Sequence, residues 1–160
     1  MLSITVICVG KLKEKYLTDA CGEYIKRLTG CCRLVVVEIN ESPLGDNPSQ
    51  AEIASALKKE GERILDKIPS GAHVFAMCVE GRELSSAEFS SKLSDVALSG
   101  KSRVIFVIGS ANGLCDSVKK RADCKLSLSR MTFTHQIARV LLLEQIYRGF
   151  QISSGGKYHR

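Results

Sequence analysis

The chain has 160 residues, of which 44% are hydrophobic and 25% are charged. These fractions exclude a disordered chain, a collagen and a coiled coil, and the length suits one globular domain spanning residues 1–160. The longest apolar run falls far short of the roughly 20 residues that cross a bilayer. The N-terminus lacks the basic start and the cleavage site of a signal peptide, so we expect neither export nor a membrane partner.

The charge balance favours polyanionic partners, since 23 Lys and Arg residues outnumber 17 Asp and Glu residues for a net charge of +6. The cysteines number seven, which is odd, and they show neither a C-x-x-C pair nor zinc-ligand spacing. We therefore expect no metal site and free thiols in a reducing cytoplasm. Cys8, Cys78 and Cys124 lie in apolar, strand-like runs, which predicts that they pack as small core residues.

Apolar, β-branched runs alternate with segments of helical periodicity along the whole chain. Strands are predicted over Leu2–Val9, Arg33–Ile39, Ala72–Val79, Val104–Ile108 and Cys124–Leu128, the first two being buried. Helices are predicted over Glu14–Leu28, from Ser49 onward, over Ser85–Leu98, near Asp116–Ala122 and over His135–Phe150. Two of these helices begin with a capping box, Ser49 with Glu52 and Ser85 with Glu88. The alternation predicts an α/β domain with a mainly parallel sheet and helices on both faces.

Ligands of open α/β sheets bind at the carboxyl ends of the strands. Glycines mark three predicted strand ends, Gly10, Gly81 and Gly109. The segment Gly109–Gly113 (GSANG) is the best candidate for a backbone that approaches a ligand closely, although a plain tight turn explains it equally well. It is not the G-x-G-x-x-G fingerprint. The string Gly100–Ser102 resembles the end of a Walker A motif but precedes a strand instead of following one, which argues against a nucleotide triphosphatase.

The last predicted helix is apolar on every face at Val140–Leu143. One side can pack on the sheet, while the opposite side needs a second cover. The simplest cover in a small domain is another subunit, so the pattern predicts a homodimer.

The carboxy-terminal part of the chain is basic and ends in an unusual tail. Tyr158, His159 and Arg160 are either a frayed, solvated end or a flexible segment that contacts nucleic acid bases. His135 stands at the start of the last helix as either a capping or a functional residue. The basic residues outnumber the single acid, Glu144, and they are Arg130, Arg139, Arg148, Lys157 and Arg160.

Several longer strings together resemble the RlmH family, small bacterial methyltransferases of the SPOUT superfamily. They are VGKLKEKY, KEGERIL, FVIGSANGL, LSRMTFTHQIARVLLLEQIYR and the closing YHR. The resemblance covers the whole chain. It implies an α/β fold with a C-terminal trefoil knot, an S-adenosylmethionine site formed by that knot, and a homodimer. It also implies a reaction, the methylation of N3 of a pseudouridine in large-subunit ribosomal RNA on the assembled ribosome.

The resemblance also transfers cofactor-binding positions to this chain. They are the residue at the end of the third strand, the glycine after the fourth strand and a stretch that crosses the knot, namely Met77, Gly109, Leu128, Ser129, Arg130, Met131, Thr132 and Phe133. The sequence departs from its relatives at Ser110, where they often have glycine, and at Thr134, where they often have proline. Both departures concern the shape of loops near the cofactor.

The reaction implied by the resemblance needs a proton acceptor, because N3 of a uracil-like ring is mostly protonated at neutral pH. The candidates are His159 beside Tyr158 in the tail and, as a second choice, His135. Arg139 and Arg148 are candidates for stabilising the anion or for clamping phosphate. Two other functions stay open, methylation of a different RNA nucleoside and a non-catalytic role on the ribosome.

Overall fold

The computed structural model describes residues 1–159, which form one five-stranded sheet flanked by helices. The strands are β1 (Ser3–Val9), β2 (Arg33–Ile39), β3 (His73–Glu83), β4 (Arg103–Ile108) and β5 (Cys124–Ser127). The helices are α1 (Lys15–Leu28), α2 (Gln50–Asp66), α3 (Ser86–Leu98), α4 (Asp116–Arg121) and α5 (His135–Ser153), followed by a 3-10 turn at Lys157–His159. The predicted alternation of strands and helices is therefore confirmed.

The strand order is β2-β1-β4-β3-β5, and every neighbouring pair is parallel. Because all strands run the same way, their carboxyl ends meet at one edge of the sheet. The loops that follow β1, β3, β4 and β5 are thereby gathered on that edge.

Helices cover both faces of the sheet, as predicted. On one face α1, α3 and α5 pack around a core that includes Phe75, Phe106 and Leu142. On the other face α2 and α4 pack around a smaller core that includes Ile64 and Val107. Residues in β1 and β4 alternate between the two cores, since successive side chains of a strand point to opposite faces.

Two helices begin with the predicted capping boxes. The Ser49 hydroxyl accepts a hydrogen bond from the amide N–H of Glu52, and the Ser85 hydroxyl accepts one from the amide N–H of Glu88, each at 3.1 Å. In return, each glutamate side chain accepts a hydrogen bond from the backbone N–H of the capping serine. Such caps satisfy amides at the helix start that have no partner within the helix. The short local pattern S-x-x-E thus predicts both helix starts correctly.

The prediction that β2 is buried on both faces is wrong. Val35 in this strand is 54% exposed, although the strand lies where the sequence predicts it. The reason is its place at the sheet edge, where neighbouring helices cover it only in part. An apolar run predicts a strand well, but not the strand's position in the sheet.

The third strand does not end at Gly81, contrary to the prediction from the sequence. It continues to Glu83 and pairs with β5 on both sides of an irregularity between Met77 and Arg82. A Cβ on Gly81 would lie 2.7 Å from backbone atoms of Leu126. The glycine therefore permits a close approach of two strands at a bulge, which is a common use of glycine inside a strand.

The prediction that three cysteines pack as small core residues is correct for Cys8 and, at the margin of the core, for Cys124. Cys8 is 1% exposed, and burial raises the pKa of its thiol to about 12. Cys78 and Cys124 are only partly buried, and of these two only Cys124 packs against the core. All seven thiols are free.

His73 opens β3 in a partly buried position. Its ring packs edge-on against Phe75 with centroids 4.8 Å apart, and its Nδ1 lies 3.9 Å from a carboxylate oxygen of Asp123. Burial lowers the pKa of His73 below its usual 6.5, an effect that Asp123 opposes and Lys101 adds to. The folded protein therefore resists protonation of this side chain.

This shift predicts a pH-dependent stability. As the pH falls below about 6.5, the unfolded chain binds a proton at His73 more readily than the folded chain, so the free energy of unfolding decreases. We expect His73→Gln to show a shallower decrease than the wild type between about pH 7 and pH 5. Urea unfolding at a series of pH values measures both slopes. Parallel slopes would show that His73 contributes nothing to the pH dependence.

Candidate active site

A cleft of about 850 Å³ opens at the carboxyl edge of the sheet. Its walls are the middle of β3 (residues 77–80), the glycine loop (residues 109–113) after β4, and the strap (residues 128–134) between β5 and α5. The first residues of α1 and α5 close its remaining side. The parallel sheet thus brings together segments that are far apart in sequence, as it does in other open α/β folds.

The glycine loop folds tightly against itself. The amide N–H of Gly113 donates to the carbonyl of Ser110 at 2.9 Å, and Gly113 has a φ of +84°. A Cβ on Gly109 would lie 2.3 Å from the carbonyl oxygen of Gly113. The close backbone contact that the glycine permits is therefore within the loop itself. The interpretation as a tight turn is therefore confirmed, and the approach of this backbone to a ligand stays a prediction for a loop that lines the cleft.

Short-range hydrogen bonds shape the strap. The Ser127 hydroxyl donates to the carbonyl of Ser129 at 2.9 Å, and the Ser129 hydroxyl accepts the amide N–H of Met131 at 3.0 Å. Thr134, at the position where relatives often have proline, caps α5 by accepting the amide N–H of Ile137. The hydroxyl-rich sequence of this segment thus forms a defined turn without regular secondary structure.

The structure brings most of the predicted cofactor-binding residues to one place. Those that line the cleft are Met77, Gly109, Leu128, Ser129, Met131, Thr132 and Phe133. Arg130 belongs to the same strap but is exposed and does not line the cleft. Met131 is 75% exposed and Phe133 41% exposed, so the apolar wall of the cleft is open to solvent in the single chain.

His135 lines the cleft from the first turn of α5. It faces the glycine that ends β1, because a Cβ on Gly10 would lie 3.8 Å from Nε2 of His135 and 3.5 Å from a carboxylate oxygen of Glu41. An imidazole and a carboxylate therefore lie near the same glycine, and of these residues only His135 lines the cleft. This arrangement suits proton transfer, for which His is the most common group.

Arg139 is buried behind this edge and does not line the cleft. Its guanidinium donates to a carboxylate oxygen of Glu38 at 2.9 Å and to the carbonyl of Gly10 at 3.1 Å. These bonds connect α5 with the ends of β1 and β2. The contacts are those of a residue that positions the Gly10 turn and His135, one helical turn away.

Breaking this connection has a predictable cost. Glu38→Ala leaves a buried guanidinium without its carboxylate, so we expect the free energy of unfolding to fall by about 2–3 kcal/mol. Glu23→Ala is the matched control, since it removes an exposed ion pair with Arg27 in α1 that is worth about 1 kcal/mol or less. Denaturant unfolding measures both. Equal losses in the two variants would contradict the buried role of Arg139.

The described part of the tail, Lys157–His159, lies on α1 and α5. The Tyr158 ring packs against Tyr147 with centroids 4.8 Å apart, and its hydroxyl lies 3.2 Å from Glu144 and 3.4 Å from the hydroxyl of Tyr24. The Arg148 guanidinium lies 4.7 Å from the centre of the Tyr158 ring. Of the closing tripeptide, Arg160 lies outside the described residues.

These contacts concern the two interpretations of the tail, a frayed end or a segment that contacts nucleic acid bases. Hydrogen bonding to Tyr24 and burial raise the pKa of Tyr158 to about 12, so its phenol stays protonated at neutral pH. Tyr158 therefore cannot serve as a proton acceptor at that pH and instead anchors the tail. His159 is exposed beside it, and neither residue lines the cleft of its own chain. Arg148 pairs with Glu144 within α5.

Two residues at the cleft were missed by the sequence analysis. Tyr16 lines the cleft and is 67% exposed at the start of α1. Glu60 is buried behind the glycine loop and accepts a hydrogen bond from Ser110. A charged residue at a helix position otherwise facing the core is the signal that could have identified Glu60.

Over residues 1–159, no helix is long and apolar enough to cross a membrane, and no group of three or more His, Cys, Asp or Glu side chains is placed to share a metal ion. The charged side chains that line the cleft include Glu14 and the ion pair between Lys119 and Glu80.

Comparisons with known proteins assign the family. Residues 2–159 match the family model described as "Predicted SPOUT methyltransferase". The chain belongs to the SPOUT methyltransferase family. It is 46% identical over 159 residues to the ribosomal RNA large subunit methyltransferase H of Carboxydothermus hydrogenoformans, and 47% identical to that of Clostridium kluyveri. Each alignment covers 99% of this chain and all of the relative.

A more distant solved structure has a similar fold. The probable methylase family protein from Haemophilus influenzae superposes with a TM-score of 0.55 at 12% identity, covering 98% of this chain and 70% of that one. At this identity the similarity concerns the fold alone.

Proposed function

We propose that this protein is an S-adenosylmethionine-dependent methyltransferase that modifies N3 of a pseudouridine in large-subunit ribosomal RNA on the assembled ribosome in the cytoplasm. The observation that carries this proposal is the cleft between the glycine loop and the strap. It collects seven of the eight cofactor positions implied by the family resemblance. The full-length relatives are named as ribosomal RNA large subunit methyltransferases, which supports the RNA substrate.

The residues of the cleft fit S-adenosylmethionine in size and chemistry. Its volume of about 850 Å³ is within the range of small-molecule sites. Backbone at Gly109 and along the strap offers hydrogen-bond partners for the adenosine part, while Met77, Leu128 and Phe133 offer apolar surface. When bound there, S-adenosylmethionine supplies a methyl group on a positively charged sulfur.

The chain's own residues have the remaining tasks. A water-poor site favours a reaction that neutralises charge, and the apolar strap excludes water once it is covered. His135 or His159 accepts the N3 proton. Arg139 positions the Gly10 turn beside His135 instead of touching the substrate, because its guanidinium is already paired and buried.

We also propose a homodimer in which the tail of one subunit completes the cleft of the other. The exposure of Met131, Phe133 and Ile137 at the cleft supports this arrangement, because a second subunit would cover them. The position of Tyr158 and His159 away from their own cleft also supports it. An isologous pair then holds two equivalent sites.

The C-terminal trefoil knot is part of the same proposal. The chain leaves β4, passes through α4, returns in β5 to the far side of β3 and then crosses to α5, which packs against α1 and α3. This return path supports a threaded segment between the glycine loop and the strap. Such a knot is an exception to the general rule that chains do not thread loops.

Labelling of whole ribosomes tests the function. Ribosomes from a strain without this enzyme are incubated with the protein and methyl-labelled S-adenosylmethionine, and the digested RNA is analysed by mass spectrometry. We expect one methyl group on a pseudouridine of the large subunit. A methyl group on another nucleoside would replace the proposed substrate, and ribosome binding without any binding of S-adenosylmethionine would indicate a non-catalytic factor.

Recognition of the assembled ribosome gives a second expectation. One small domain offers little surface for reading RNA sequence, so basic charge and ribosome shape must supply most of the binding. We expect a short RNA hairpin of the same sequence to be methylated poorly. Efficient methylation of that hairpin, measured with the same label, would contradict the need for the ribosome.

A further inference from the structure

A buried carboxylate lies directly behind the glycine loop. Glu60 in α2 is 3% exposed, and its two oxygens have different partners. One accepts the hydroxyl of Ser110 at 3.1 Å, and the other accepts the amide N–H of Ser42 at 2.8 Å. Burying a carboxylate is costly unless it is well hydrogen-bonded. The two bonds therefore account for the burial of Glu60 and connect three distant segments of the chain.

The connection ends at the wall of the cleft. Ser110 follows Gly109, is itself 6% exposed and lines the cleft. Its carbonyl accepts the amide N–H of Gly113, which closes the turn of the glycine loop. A constraint on the Ser110 side chain is therefore a constraint on the shape of the whole loop. Glu60 reaches the cleft only through this serine.

The other end of the connection is also held in place. Arg63, three residues further along α2, donates to the carbonyl of Asn40 at 2.8 Å and to the hydroxyl of Ser42 at 3.3 Å. The loop between β2 and α2 is thus tied to α2 at two neighbouring points. One Glu60 oxygen is therefore fixed by the backbone amide of Ser42, and the other binds the glycine loop through the Ser110 hydroxyl.

We infer that Glu60 is a positioning residue that keeps the glycine loop in the shape that binds S-adenosylmethionine. The inference rests on the function proposed above for the cleft. According to this inference, Glu60 affects the affinity for the cofactor through Ser110. It does not affect the rate of methyl transfer once the cofactor is bound. The role depends on the serine hydroxyl, because a glycine at that position has no side chain to donate a hydrogen bond to Glu60.

Two substitutions of Glu60 distinguish the effect of its hydrogen bonds from the effect of its side-chain volume. Glu60→Ala leaves the Ser110 hydroxyl and the Ser42 amide without their acceptor, so we expect the Kd for S-adenosylmethionine to rise about tenfold. Glu60→Gln keeps an oxygen for Ser42 and offers an amide donor to the Ser110 oxygen, so its Kd should stay within about threefold of the wild type. Calorimetry with S-adenosylmethionine measures both values.

A double-mutant cycle tests whether Glu60 acts through Ser110. Ser110→Ala alone should weaken cofactor binding. In the Glu60→Ala background it should raise the Kd little further, because the hydrogen bond between the two residues is already lost. Glu62→Ala is the matched control on the exposed side of the same helix and should change nothing. If Glu60→Ala does not fold, Glu60→Leu fills the space without an acceptor and completes the cycle.

Steady-state kinetics on ribosomes supply a readout that a general loss of stability does not mimic. We expect Glu60→Ala to raise the KM for S-adenosylmethionine while kcat changes less than about twofold. Additive effects in the cycle, or a fall in kcat with unchanged KM, would overturn the inference alone. Wild-type protein that does not bind S-adenosylmethionine would overturn the proposed function and this inference with it.

Discussion

Gly109→Val is expected to abolish cofactor binding while the protein stays folded. A Cβ at this position would lie 2.3 Å from the carbonyl oxygen of Gly113 and 2.6 Å from its carbon, so the loop must change shape to admit any side chain. Both contacts are with backbone, which cannot rotate away as a side chain can. Because the loop lines the cleft, its displacement should raise the Kd for S-adenosylmethionine by about 100-fold or more, equivalent to about 3 kcal/mol.

Calorimetry with S-adenosylmethionine measures the loss, and circular dichroism with denaturant unfolding reports the fold. Gly22→Ala is the matched control, because a Cβ on this α1 glycine meets nothing within 4 Å. It should bind the cofactor normally and stabilise the helix by about 0.5–1 kcal/mol. Cofactor affinity in Gly109→Val within a few-fold of the wild type would refute the role of the glycine loop.

Removal of Tyr158–Arg160 is expected to leave cofactor binding unchanged and to reduce methylation below detection. Neither Tyr158 nor His159 lines the cleft of its own chain, so the cofactor site survives the truncation. The proposed proton acceptor or the docking of the RNA base is lost with the tail. Calorimetry and labelled-methyl transfer to ribosomes measure the two effects separately. Full methylation by the truncated protein would exclude any catalytic role for the tail.

Point variants distinguish the anchoring role of Tyr158 from the proposed chemical role of His159. Tyr158→Phe retains the ring packing on Tyr147 but loses the hydroxyl contacts with Glu144 and Tyr24, so we expect a partial loss of activity. His159→Gln keeps the anchor and removes the imidazole. If His159 accepts the proton, this variant should lose activity by a factor of about 100 or more, within the usual contribution of general base catalysis.

Mixed dimers decide whether the tail acts on its own cleft or on that of the partner. Gly109→Val subunits have a tail but no cofactor site, whereas truncated subunits have a cofactor site but no tail. If the tail acts across the dimer, an equal mixture after subunit exchange should recover about a quarter of wild-type activity, because half of the dimers carry one complete site. If the tail acts within its own subunit, no dimer has a complete site and the mixture stays inactive.

Several features of the fold follow from short stretches of sequence. The β-branched run of β1 and the S-x-x-E boxes at Ser49 and Ser85 predict elements that the structure confirms nearly to the residue. These signals succeed because their causes are local, namely side-chain periodicity and the need of the first helical amides for an acceptor. The resemblance to the family adds the expected cofactor positions, and all of these except Arg130 line one cleft.

The failures have a common physical cause. The exposure of β2 depends on its place at the sheet edge, and the role of Gly81 depends on the backbone of Leu126 in a different strand. Such contacts join residues that are distant along the chain, and no local periodicity encodes them. The burial of Arg139 against Glu38 is likewise a long-range contact that no local pattern encodes, and its role in the reaction stays a prediction.

By itself, the sequence therefore determined the order of strands and helices, the parallel α/β class and most of the segments that line the cleft. Only the tertiary structure decided how those segments meet. It anchors the tail through Tyr158, exposes the strap in the single chain, and ties Glu60 to the glycine loop through Ser110. Local propensities act over a few residues, whereas a binding site is made from contacts that exist only after the sheet has brought its strand ends together.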